Sequence, residues 1–377
     1  MFGKSIKLFK LFGFSVKVDM SWIIIAILVA WSLSVGLFPH QFKGLAARTY
    51  WLMGIVGALG LFASIIFHEM CHSLVARQFG LPMKGITLFI FGGVAEMDDE
   101  PPSAKAEFMM AIAGPISSIV LAVGFYAVSL LGKSAPWPGP VTGVLQYLGM
   151  INGLLAAFNL VPAFPLDGGR VLRAALWSWK KNIKWATRKA AAAGSAFGLV
   201  LIILGVFNVL AGRFVGGMWW FLIGMFLRGA ANTSYQQLVI RQALEGEPIR
   251  RFMEPNPVTV PPSITINELV EDYVYKYHFK MFPVTEEGKL VGCVSTRQVK
   301  EIPREEWSQR TVGELQVACS DENTIEPDAD SVKALSRMRK TDGSRLMVVE
   351  NGRVVGIVSL KDLLQFLSLK VELEEES

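Results

Sequence analysis

The sequence predicts an all-α membrane domain of about six transmembrane helices carrying a small membrane-edge β-hairpin, followed by a soluble α/β domain made of two related units. Three observations carry this prediction. The chain of 377 residues is 52% hydrophobic and only 18% charged, with a mean hydropathy of +0.40, too apolar for an ordinary soluble protein of this length. Its apolar stretches are long enough to cross a bilayer, at about 20 residues per crossing. Beyond Ala231 the composition turns polar and proline-punctuated, and one strand-turn-strand-helix pattern occurs twice, in "FPVTEEGKLVGCVSTRQVKEI" and "LMVVENGRVVGIVSLKDLLQF".

The formal charge of +5 is spread between the apolar segments, where Lys and Arg set topology. Nucleic-acid binding is therefore not expected, and membrane lipid is. Cys71, Cys293 and Cys319 show no paired spacing, and one lies in an apolar stretch, so structural disulfides are not expected.

The N-terminus carries Lys4, Lys7, Lys10 and Lys17 with no small-residue cleavage pattern after them, which predicts an uncleaved basic interfacial segment over residues 1–20. Spans are predicted near Trp22 to Phe38, Trp51 to Ala76, Phe108 to Leu131, Val144 to Phe164, Ala193 to Ala211 and Phe214 to Ala231. Basic residues cluster before the first span and after the second and fourth, so both termini are expected in the cytosol, as in a multi-pass protein of a prokaryotic plasma membrane. Together the spans make a membrane domain over 21–235. Residues 236–247 read as a linker, 248–370 as the soluble pair, and 371–377, "VELEEES", as an acidic tail.

Two features of the membrane domain are irregular. In "KGITLFIFGGVAEMDDE", β-branched and aromatic residues flank Gly92 and Gly93, a hairpin signal over Phe89 to Val94. In "FNLVPAFPLDGGRVLRAALWSW", Pro162 and Pro165 break the fourth span. Broken helix at membrane depth is tolerated only where the freed backbone is buried in protein or lines a cavity, so the break marks a candidate site.

The chemistry lies in "GLFASIIFHEMCHSLVARQFG". His68 and His72 stand four apart, one above the other on a helix face, and Glu69 projects beside them. In a soluble helix such a match is as often a pair of core histidines. Here two of the four histidines in the chain take this spacing inside an apolar span, where an ionisable group costs at least about 2.5–3.5 kcal/mol and survives by being paired, ligated or used. A catalytic zinc takes three protein ligands and keeps a position open. Asp167 at the helix break is the candidate third ligand, and its alternative role is a helix N-cap before "GGRVLRAALW".

The order of H-E-x-x-H in the second span, "NLVPAFPLDGGR" and two repeats resembles the site-2 protease family of intramembrane zinc metalloproteases, in its CBS-domain-containing branch. The resemblance implies one zinc ion per chain held by His68, His72 and Asp167, Glu69 as general base, and Asn159 as a catalytic residue that positions the substrate or polarises its carbonyl. It also implies a substrate-binding edge at Phe91, Gly92 and Gly93, "AIAGPISS" as the family's third-span segment, and a transmembrane protein as substrate. The repeats resemble CBS domains, which implies an adenosine nucleotide (ATP, ADP or AMP) held in part by Ser359 and Asp362, and a homodimer formed through this pair. In the first repeat Gln298 stands where the pattern has Asp, and Gln offers no anionic acceptor. A docking platform without ligand is the alternative for the pair. For the whole chain the alternative is a CBS-regulated transporter or channel using intramembrane His and Asp, against which the placement of Glu69 between the two histidines argues.

Overall fold

The computed structural model describes residues 6–81, 83–89, 92–97, 100–134, 137–341 and 343–374. They form two compact units, Met1–Gln236 and Gln237–Ser377. The first opens with β1 (Ile6–Leu11) and β2 (Phe14–Val18), joined at Phe12-Gly13, both with positive φ. Helix α1 (Met20–Ser32) follows, with Asp19 accepting at its N-terminus from the Ser21 amide at 2.9 Å. A π-turn at Leu33–Leu37 leads into α2 (Phe38–Gln41), giving one apolar span. Helix α3 (Ala47–Gln78) is the second span. Strands β3 (Met83–Phe89) and β4 (Gly92–Met97) separate it from α4 (Ala104–Ser134). Helices α5 (Gly139–Asn159), α6 (Asp167–Lys180), α7 (Ile183–Leu210) and α8 (Phe214–Leu244) complete the unit. Among the described residues, six helical segments are long and apolar enough to cross a membrane.

The strands form one sheet in the order β1-β2-β3-β4, with β2 and β3 parallel and the outer pairs antiparallel. The reading from sequence gave residues 1–20 to an interfacial segment and expected only a hairpin, so the sheet is larger than predicted. The reason is the alternation of Phe14, Val16 and Val18, all buried, against exposed or half-buried neighbours; it is period-two patterning set among lysines. Val18, Ile86 and Leu88 pack on Met70 of α3, which seats the sheet against the helix carrying both histidines of the motif. The fourth span ends at Asn159, not Phe164, and after the turn through Pro162 and Pro165 the chain starts α6 at Asp167.

The second unit includes the end of α8, which continues through residues 236–244, where the sequence suggested a linker. Leu238 and Leu244 are buried, and Leu244 belongs to a core with Ile249, Leu346, Val348 and Val358. Helix thus extends as far as its apolar residues have a core to enter. Strands β5 (Glu254–Pro255), β6 (Met281–Glu286), β7 (Lys289–Ser295), β8 (Val317–Ala318), β9 (Thr324–Ile325), β10 (Arg345–Glu350) and β11 (Arg353–Ser359) make two sheets, β5-β11-β10-β9 and β6-β7-β8. Short helices α9 (Ile266–Glu268), α10 (Tyr275–Tyr277), α11 (Thr296–Val299) and α12 (Val312–Leu315), then α13 (Ser331–Lys340) and α14 (Leu360–Glu374), pack around them. The repeat seen in sequence recurs in register. Met281 pairs with Ser295 as Arg345 pairs with Ser359, each hairpin carries one irregularity two-thirds along its first strand, and Glu287-Gly288 matches Asn351-Gly352 with positive φ at both positions. All three cysteines are free, and burial pushes the Cys293 thiol up to about 11, which keeps it unreactive.

Helices α7 and α8 cross through glycine. A Cβ on Gly224 would lie 2.5 Å from the Gly198 carbonyl oxygen, and one on Gly205 would lie 2.7 Å from that of Gly217. In lipid, where apolar side chains gain little by leaving one another, such backbone contact supplies the association. Gly224→Ala is therefore expected to destabilise the membrane unit by about 1–3 kcal/mol, read as a lower unfolding midpoint in detergent. Gly216→Ala, with open space around its new Cβ, should leave the midpoint unchanged.

Candidate active site

Helix α3 presents His68 and His72 on one face, both buried, with ring centroids 4.7 Å apart. Helix α4 supplies the partners for their inner nitrogens. His72 Nδ1 lies 2.6 Å from the Met110 carbonyl oxygen, and His68 Nδ1 lies 2.8 Å from Ser118 Oγ. A carbonyl only accepts, so the proton of neutral His72 sits on Nδ1 and its Nε2 keeps a free lone pair. Helix α4 reaches this close because residue 114 is glycine. A Cβ there would stand 2.1 Å from His72 Nε2 and 2.5 Å from His68 Nε2.

Both Nε2 atoms turn toward Asp167. His68 Nε2 is 3.1 Å and His72 Nε2 3.2 Å from Asp167 Oδ2, and the two nitrogens are 3.0 Å apart. Two imidazole nitrogens and one carboxylate oxygen form the donor set of a catalytic zinc. Ligand atoms about 2.0–2.1 Å from a tetrahedral zinc stand roughly 3.3–3.4 Å from one another, close to the separations here. The set therefore fits zinc, and among the described residues it is a group that could hold a metal ion. Asp167 is the first helical residue of α6 with Leu166 at the cap, where no side-chain capping bond forms. Its carboxylate is turned to the histidines and does not cap the helix.

What fixes Asp167 is the seat of α6. Gly168 and Gly169 lie against the backbone of Leu160 to Phe164, where a Cβ would come within 2.2 Å of backbone atoms. One and a half turns on, Arg173 Nε donates to Glu107 Oε1 of α4 at 2.5 Å, with Arg170 Nε at 4.0 Å from the same oxygen. Glu107 is fully buried and Arg173 nearly so. Arg173 also stands 5.3 Å over the Phe164 ring, so the strap holds both α6 and the turn before it.

Glu69 is half-buried beside His68. A Cβ on Gly93 of β4 would come 2.7 Å from Glu69 Cγ, so the sheet reaches the motif at a glycine singled out by sequence. Gly92 begins β4, and Phe91 lies outside the described residues. Asn159 is the last residue of α5, half-buried, eight positions before Asp167. In the second unit, Asp362 Oδ2 accepts from the Ser359 amide at 2.9 Å and from Ser359 Oγ at 2.6 Å. Gln298 Oε1 makes the same two bonds with Ser295, while its Nε2 donates to the Leu315 carbonyl at 2.7 Å. Both pairs are capping boxes.

Sequence reasoning missed Met110, Ser118, Glu107 and Arg173. A signal existed for the last two: an acid and a base in otherwise apolar or site-bearing helices, which are costly unless they meet.

Residues 56–138 and 132–205 match the family model described as Peptidase family M50, and residues 249–305 and 312–369 match that of the CBS domain. The chain is 34% identical to Rip3 of Mycobacterium tuberculosis, named as a zinc metalloprotease, over 97% of this chain and 93% of the relative. It is 31% identical to the zinc metalloprotease MJ0392 of Methanocaldococcus jannaschii, over 99% and 98%. A solved site-2 protease from Methanocaldococcus jannaschii aligns with 61% of this chain and 94% of its own at 28% identity and a TM-score of 0.43. With a donor set that suits zinc inside an integral membrane domain, and relatives matched nearly end to end, the chain belongs to peptidase family M50, the site-2 proteases, as a zinc metalloprotease with a CBS-domain pair.

Proposed function

We propose that this protease hydrolyses peptide bonds within or next to the transmembrane segments of membrane proteins, with one zinc held by His68, His72 and Asp167. The observation that carries the reading is the convergence of both Nε2 atoms on Asp167 Oδ2 while α4 engages both Nδ1 atoms. Zinc, when bound, supplies Lewis acidity that polarises a carbonyl and acidifies a water. Glu69 accepts a proton and returns it to the leaving amine nitrogen. Asn159 positions the substrate carbonyl through its carboxamide. A substrate helix hides its carbonyls in i to i−4 hydrogen bonds, so it must unwind before attack. Strand β4 ends the sheet order, and its outer edge at Gly92 and Gly93 suits pairing with an extended substrate beside Glu69. We place the protein in a prokaryotic plasma membrane with both termini cytosolic, in keeping with its basic segments.

The CBS pair serves as a sensor for an adenosine nucleotide, ATP, ADP or AMP, and as the site of homodimer formation. Asp362 commits Oδ2 to its cap, which leaves Oδ1 for a ribose hydroxyl. Gln298 brings no charge and spends its amide on Leu315, so the second repeat carries most of the binding.

Full-length protein purified in detergent is expected to retain about one zinc per chain by elemental mass spectrometry, in line with the donor set. His72→Ala, Asp167→Ala and Gly114→Ala should lose it. Glu69→Gln should keep zinc and lose cleavage by about 10²–10⁴-fold. Zinc and activity both intact in Asp167→Ala would remove it as third ligand.

Reconstituted cleavage of one transmembrane substrate is expected to speed up when Gly or Pro is placed near the cut and to slow with a run of Leu, following helix propensity. Equal rates across the series would rule out unwinding as a requirement.

Calorimetry on the full-length protein should detect an adenine nucleotide, with binding weakened at least about tenfold by Asp362→Asn, which retains an oxygen for the cap, and barely changed by Gln298→Ala. The nucleotide should shift the proteolytic rate by a factor of about 5–150, the range of a 1–3 kcal/mol coupling. Absence of binding at millimolar nucleotide leaves the docking-platform role in its place.

A further inference from the structure

Helices α7 and α8 border an open cavity of about 410 Å³ on the basic side of their glycine crossing. From α7 it is lined at Arg188, Ala191, Ala192, Ser195, Ala196 and Leu199, and from α8 at Arg228, Asn232 and Tyr235. Each set has helical spacing, so each is a single face. At Gly198 and Gly224 the backbones touch. Nearer the start of α7, the tract "AAAAGSA" over 190–196 supplies no side chain large enough to fill the gap.

The cavity straddles a boundary. The apolar run of α7 begins just after Lys189, and the apolar run of α8 that starts at Phe214 ends at Leu227. The polar lining, Arg188, Arg228, Asn232 and Tyr235, therefore gathers where both helices leave the hydrocarbon, and the alanines and Leu199 lie on its apolar side. Neither arginine makes an ion pair or a hydrogen bond among the described residues, although both are exposed there. A guanidinium at this level is costly without a counter-ion and binds phosphate oxygens through its planar fork. The nearby Lys180, Lys181, Lys184 and Lys189 add positive potential at the same end of α7.

We infer that this cavity is a binding site for an anionic phospholipid, its phosphate between Arg188 and Arg228 and an acyl chain along Ala191, Ala192, Ala196 and Leu199. Phosphate alone would satisfy the arginines but would leave the apolar wall unused, and an uncharged amphiphile would do the reverse. The acidic residues 371–377 could meet the charges but offer no acyl chain for the wall.

The test is native mass spectrometry of the full-length protein in detergent, titrated with phosphatidylglycerol or phosphatidylcholine of the same acyl chains. Phosphatidylglycerol is expected to bind at least tenfold more tightly. Arg188→Gln with Arg228→Gln should abolish that preference, while the Lys pair at both positions should keep part of it. Ala192→Phe, which fills the cavity without changing charge, should weaken phosphatidylglycerol as well. Retained zinc and wild-type proteolysis of a detergent-soluble substrate would show that these variants are folded. Unchanged phosphatidylglycerol binding in the Gln pair overturns the inference. So does equally Arg-dependent binding of inorganic phosphate, which would make the site one for a free anion. A gain of lipid binding on removal of residues 371–377 that is absent from the Gln pair overturns it too, because the tail would then be the resident occupant.

Discussion

A hydrogen bond of 2.6 Å between His72 Nδ1 and the Met110 carbonyl decides what the rest of the membrane unit can be. Because the carbonyl only accepts, the bond sets the tautomer and hands the lone pair of Nε2 to the side facing α6. It also demands that two long helices approach to within a few ångströms at the level of the motif, which only a glycine at 114 allows. Ser118, one turn further along α4, performs the matching task for His68. Helix α4 is thus the template on which the imidazoles are oriented, although it contributes none of the three converging donor atoms. In water such orientation would be diluted by competing solvent; at bilayer depth no such competition exists, and an unmet polar atom is expensive.

The Glu107–Arg173 pair belongs to the same logic. A buried ion pair is a weak source of net stability, because desolvation of both charges offsets most of their attraction, while loss of one partner strands the other. Its consequence here is geometric. It joins α4, already fixed to α3 through the histidines, to α6, whose first residue is Asp167. The three donors come from two helices that are each tied to the same third one, so α3 and α6 cannot drift apart without breaking bonds to α4.

Much of this was legible in the sequence, and the legible part has a common character. His68, Glu69 and His72 announce themselves because helical spacing and membrane depth together make them improbable as filler, and Asp167 because Pro162 and Pro165 expose a break where apolar helix should continue. The six spans were readable for the same reason, since twenty apolar residues have few other uses. What escaped was whatever depends on a neighbour remote in sequence. Met110 acts through its backbone, which no sequence pattern marks. Ser118 is an ordinary residue until α3 lies beside it, and the charge of Glu107, conspicuous in an apolar helix, gains its meaning only when α6 brings Arg173 to it. Strands β1 and β2 were hidden because the lysines around Phe14, Val16 and Val18 carry a stronger topological signal than three alternating side chains, and the strands become recognisable only when β3 offers β2 a parallel partner. The helix through 236–244 was hidden because Ile240 and Leu244 are too few to show an amphipathic face until a second core receives them.

The two halves of the soluble unit perform one structural task at one position with different side chains. Ser295 with Gln298 and Ser359 with Asp362 close the same capping box at the same place after the second strand of each hairpin. The backbone therefore needs an oxygen at the fourth position in both repeats, and either Gln or Asp supplies it. Beyond that oxygen the two part company. Gln298 turns its amide into the protein to reach Leu315 and has nothing further to offer, whereas Asp362 retains a second, charged oxygen. A cap alone gives no reason for the difference, since each side chain accepts the same two bonds from its serine. The difference lies in the second carboxylate oxygen of Asp362, which its capping box does not use.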